Sequence, residues 1–88
     1  MQSNQELTLT ISSYLTDRSG GRFARVQFER QGKEGIERAE GILPEGRIVR
    51  QEGYTAEEVA HLEAYLRENM TELLAQAKAL SDPLKWLS

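Results

Sequence analysis

The sequence predicts an α+β fold: an antiparallel meander of four strands with one long C-terminal helix packed on one face (ββββα). Three observations carry that expectation. Between residues 55 and 80, Val59, Leu62, Leu66, Met70, Leu73, Ala77 and Leu80 recur at steps of 3 and 4, one stripe at the helical period. Residues 6–51 instead show short runs in which apolar and polar side chains alternate. Glycine, proline and aspartate clusters separate those runs at hairpin spacing. The expected organisation is a single domain over 1–88, with strands within 6–51, a helix over 55–80 and a short apolar tail at 83–87.

The first strand is expected from Glu6 to Tyr14, with Leu7, Leu9 and Ile11 on one face and Thr8, Thr10 and Ser12 on the other. Asp17-Arg18-Ser19-Gly20-Gly21 is turn chemistry. In the second strand, Arg22 to Arg30, Ala24, Val26 and Phe28 should meet the core and leave Phe23 and Arg25 outside. Gln31 to Gly35 is a second turn. Ile36 to Leu43 alternates poorly, and Gly41 is read as a bulge that brings Ala39 onto the apolar face. After a tight Pro44–Gly46 turn, Arg47 to Gln51 is the fourth strand. Thr55 and Glu58 form a capping box, and Ser81-Asp82-Pro83 stops the helix. A helix of about 25 residues spans roughly 37 Å, more than strands of five to nine residues. Its last two turns and the tail, with Leu74, Ala77, Leu80, Leu84, Trp86 and Leu87, are thus left without an evident partner in the sheet.

Composition excludes several classes of function. With no cysteine there is no disulfide, thiolate nucleophile or zinc–thiolate site. No apolar run is long enough to span a bilayer, and the N-terminus lacks the basic start and apolar core of a secretory signal. A soluble cytoplasmic protein without membrane contact is expected. Net charge is −3; residues 1–53 balance eight basic against eight acidic side chains, and the helical half is acidic. That balance disfavours a general polyanion binder.

Catalytic and cofactor patterns are absent. His61, the only histidine, falls on the helix face opposite the apolar stripe and reads as a surface partner of Glu57 at i, i+4. No nucleophile elbow, phosphate loop or dinucleotide fingerprint occurs. The expectation is a non-enzymatic protein with no catalytic residue, metal or cofactor.

Two interaction surfaces remain. Phe23, Arg25, Arg38, Arg47 and Arg50, with Tyr14 as a candidate neighbour, place aromatic and guanidinium groups on the non-core face of the sheet, a pattern that stacks single-stranded nucleic acid. The alternative for those arginines is pairing with cross-strand glutamates. Leu74, Ala77, Leu80, Leu84 and Trp86 form the candidate self-association surface. Four antiparallel strands followed by a helix entered through a Thr-x-x-Glu cap resembles the layout of PC4-type transcription coactivator domains over residues 6–80. That likeness is one of element order and implies helix-mediated dimers with single-stranded DNA on the sheet. The leading expectation is a protein–protein interaction module, homodimeric through its helix; the alternative is a single-stranded nucleic-acid-binding domain using the exposed sheet face.

Overall fold

The computed structural model describes residues 7–81. In chain order the elements are β1 (Thr8–Ile11), β2 (Leu15–Thr16), β3 (Arg22–Gly32), β4 (Gly35–Leu43), β5 (Arg47–Glu52), α1 (Ala56–Glu68) and α2 (Met70–Ser81). The sheet is antiparallel in the order β1-β3-β4-β5, and β2 also pairs with β3. The α+β class is as the sequence predicts, but five strands and two helices replace the expected four and one. The expected strand start at Glu6, the stop at Asp82-Pro83 and the tail with Leu84 and Trp86 lie outside the described residues. No helix among those residues is long and apolar enough to cross a membrane.

The expected first strand divides at Ser12–Tyr14. Ile11 pairs with Val26 and Leu15 with Phe23, so four steps on one strand match three on the other. This one-residue excess is a β-bulge. Ser12 makes it, because its hydroxyl accepts the Arg25 amide at 2.9 Å in place of its own carbonyl, while its amide donates to Arg25 O at 2.9 Å. The inserted residue reverses the faces beyond it. Tyr14 therefore packs against the core instead of joining the exposed face, and Leu15 shares the outer face with Phe23.

Ala24, Val26 and Phe28 of β3, with Ala39 and Leu43 of β4, form the sheet side of the core. Leu9 and Ile11 lie opposite Phe28 and Val26 and pack against it. Ala39 reaches the core without any slip between β3 and β4, whose pairing is continuous from Ala24↔Leu43 to Gly32↔Gly35. The register shift falls between β4 and β5, at Glu40/Gly41, with Val49 as the extra residue. Gly41 is buried because Leu66 sits directly over it: a Cβ there would lie 2.6 Å from Leu66 Cδ1. The small residues of β4 thus face the helices, which explains why its alternation is hard to read.

The helix is interrupted at Asn69 (φ −112°, ψ 19°), whose side-chain Nδ2 and backbone N both donate to Tyr65 O, at 2.9 and 3.0 Å. A short amide that bonds its own preceding turn competes with the regular ladder. The expected overhang is not found among the described residues: α1 lies over β4 and β5, and α2 reaches β1. Leu62 and Leu66 on α1 and Leu73 and Ala77 on α2 complete the core. Ser81 ties the end of α2 down, accepting the Tyr14 amide at 2.8 Å.

Candidate functional site

Both helices lie on one side of the sheet, so the other side is open among the described residues. Strand register decides what it carries. Phe23 and Arg25 of β3, Arg38 of β4, and Arg47 and Arg50 of β5 all point to this open face, since they alternate with core residues along the strand or pair across from residues outside the core. The five positions expected from sequence are thus brought onto one surface. Phe23 is half-buried beside Leu15, and the Arg25↔Ile42 pair places Ile42 in the next row. Ile36, at 46% exposure, lies at the opposite end of β4.

Carboxylates are interleaved with the arginines. Arg25 Nε bonds Glu40 at 2.9 Å, Arg38 Nε bonds Glu29 at 2.9 Å, and Arg47 Nη2 bonds Glu45 at 2.9 Å. Gln27 also donates to Glu29 at 3.0 Å. Among the described residues, Arg50 is the one open-face arginine without an ion pair, because Glu40 opposite it is engaged by Arg25. Glu52, opposite Arg38, is likewise without one, because Arg38 turns to Glu29. The surface is therefore a nearly neutral lattice with apolar side chains at both ends. A cleft of about 250 Å³ lies between Gln27, Arg38, Glu40, Arg50 and Glu52.

Of the positions expected for self-association, Ala77 is fully buried in the chain's own core and Leu74 packs against it. Leu80 is 44% exposed. Leu84 and Trp86 are outside the described residues.

A cluster that sequence reasoning missed surrounds Arg30 on the helix side. Its Nε bonds Glu37 at 2.7 Å, Nη1 and Nη2 bond the two Glu58 oxygens at 2.9 and 3.0 Å, and Nη2 reaches Gly53 O at 3.1 Å. The guanidinium lies 4.2 Å from the Tyr54 ring centroid. Glu58 also closes the capping box with Thr55, accepting the Thr55 amide at 2.9 Å while Thr55 Oγ1 accepts the Glu58 amide at 3.1 Å. Hydrogen bonds from Arg30, then from the Thr55 amide, hold the Glu58 carboxyl down at about 2. Arg30 is pushed above its ordinary value by Glu58 first and Glu37 second, and burial raises the Tyr54 phenol. Each guanidinium nitrogen has a partner and the group is mostly covered, so the cluster clamps the helix start to β3 and β4. A sequence signal existed only in part. The capping box is local, but Arg30 reaches Glu58 across 28 positions.

His61 is exposed and no ion pair joins it to Glu57, contrary to the expected surface pair. It lines an open cleft of about 180 Å³ with Leu7, Arg30, Tyr54, Glu58 and Leu62. Among the described residues, no group of three histidine, aspartate or glutamate side chains is placed to hold a metal ion.

Comparisons with protein-family models, curated proteins and solved structures find no match to this chain.

Proposed function

We propose that this protein is a non-enzymatic interaction module that self-associates and offers the open face of its sheet to a protein partner. The observation that carries this reading is the composition of that face. Leu15, Phe23, Ile36 and Ile42 stand among arginines already neutralised by Glu29, Glu40 and Glu45. Mixed apolar and paired-charge surfaces suit proteins, whose own surfaces carry both signs. A nucleic-acid backbone instead draws on uncompensated cations, and here three of the four open-face arginines are compensated.

The rival reading, a single-stranded nucleic-acid binder, is favoured by one fact: Phe23 and four arginines share a surface. Fluorescence-anisotropy titration with single-stranded DNA and RNA at low and moderate salt separates the two. The protein-binding reading expects no saturable binding at micromolar protein. Binding that weakens with salt and collapses in Phe23→Ala would replace it with the nucleic-acid reading.

A further inference from the structure

The open edge of β5 carries a charge pattern complementary to itself. Among the described residues, β5 pairs with β4 on one side and with no strand on the other. Its main-chain directions follow from the far side of the sheet. Ser12 N donates to Arg25 O, so the main-chain groups of Arg25, Gln27 and Glu29 point toward β1 and those of Val26, Phe28 and Arg30 toward β4. Carried across the register, Arg38 and Glu40 point toward β5 and bond Glu52 and Arg50. Gln51, between them, therefore turns its N–H and C=O away from the sheet. Ile48 beyond the bulge does the same, and its outward amide is taken by Glu63 at 2.9 Å. The Ile48 amide thus bonds a helix side chain and not β4, as an outward-facing strand position does. That contact covers one part of the edge and leaves Gln51 open.

An antiparallel copy of β5, related by a two-fold axis through Gln51, would exchange two main-chain hydrogen bonds between the two Gln51 residues. Arg50 would then stand opposite the second copy's Glu52, and Glu52 opposite its Arg50. These are the open-face cation and the open-face strand carboxylate that have no ion pair within the single chain among the described residues. Both would fall at non-hydrogen-bonded positions, where facing side chains are closest. We infer that this protein forms a symmetric homodimer through β5, its sheet continuing across the axis into a second copy of the same chain. The inference rests on the self-association part of the reading above and moves the contact from the helix to the sheet edge. The pairing is short, so the interface is small and the association weak and concentration-dependent.

Sedimentation velocity of the full chain over a wide concentration range tests it. The wild type is expected to show a reversible monomer–dimer equilibrium. Arg50→Glu places like charges opposite each other twice and is expected to weaken the dimer by about tenfold or more, with circular dichroism unchanged. The exchange Arg50→Glu with Glu52→Arg restores complementarity and is expected to restore dimerisation. Amide exchange at Gln51 should slow as the protein concentration rises. A dimer indifferent to Arg50→Glu would overturn the edge assignment and return self-association to the helix. A chain monomeric at every concentration would overturn both, leaving only the open face as a docking surface.

Discussion

Gly41→Ala is the sharpest test of how the helices sit on this sheet. Gly41 is a buried β4 residue facing α1, and its φ is not positive, so alanine meets no backbone strain there. Two effects of opposite sign compete. Replacing glycine by alanine reduces the freedom of the unfolded chain and stabilises by about 0.4–1 kcal/mol where the site can accept it. The new methyl, however, would lie 2.6 Å from Leu66 Cδ1 and 3.2 Å from Ile48 Cδ1. Leu66 is 0% exposed, so its Cδ1 must move aside within the core rather than toward solvent. Overpacking of this kind typically costs about 1–3 kcal/mol, which exceeds the entropic gain. The expected net loss is about 1–2 kcal/mol, or a fall in Tm of roughly 4–15 °C for a domain of this size. Urea denaturation followed by far-UV circular dichroism reads it directly. A double-mutant cycle with Leu66→Ala adds a second check. Leu66→Ala alone costs about 2–5 kcal/mol through its cavity. The methyl introduced by Gly41→Ala should fill part of that space, giving a favourable coupling of about 0.5 kcal/mol or more. A neutral or stabilising Gly41→Ala, or strict additivity in the cycle, would refute the close approach of α1 to β4.

Two further outcomes follow from the helix start. Thr55→Ala removes the acceptor for the Glu58 amide and should lower stability by about 1 kcal/mol; an unchanged denaturation midpoint would mean that the cap contributes nothing. Glu58 supplies a pH signature, since its carboxyl lies at about 2 in the folded chain against an ordinary 4.5. A depressed folded-state value means that the stabilisation is fully present above 4.5 and is lost as pH falls from there through 2. A carbon-13 NMR titration of the Glu58 carboxyl should place its midpoint far below that of exposed glutamates, and a midpoint near 4.5 would show that the Arg30 clamp is not formed.

Where local chemistry set the structure, the sequence was legible. The alternation of Ala24, Val26 and Phe28, the turns around Gly20 and Gly46, and the Thr55–Glu58 cap all depend on neighbours within a few positions, and each stands as expected. The five open-face positions could be read for the same reason: period-two alternation assigns a face without knowing the partner strand. The reading failed where a single residue changes register or direction. Ser12 offers its hydroxyl to Arg25, 13 positions away, and the bulge that results sends Tyr14 to the core. The apolar stripe runs on from Leu66 to Leu73 past Asn69, so nothing in it reports the interruption that separates α1 from α2.

The sequence by itself determined the class of fold, the hairpin turns, the start of the helical region and the absence of thiol chemistry. Each follows from composition, backbone preference or side-chain period, and the last two act over one or two turns of chain. Only the tertiary structure decided how charges are shared. Arg30 joins Glu37 and Glu58 from two different elements, and Glu40 and Glu29 neutralise Arg25 and Arg38. Among the described residues, Arg50 and Glu52 are left unpaired at the sheet edge. Electrostatic pairing depends on distance in space, and the order of residues along a chain fixes that distance only once the register of every strand is known.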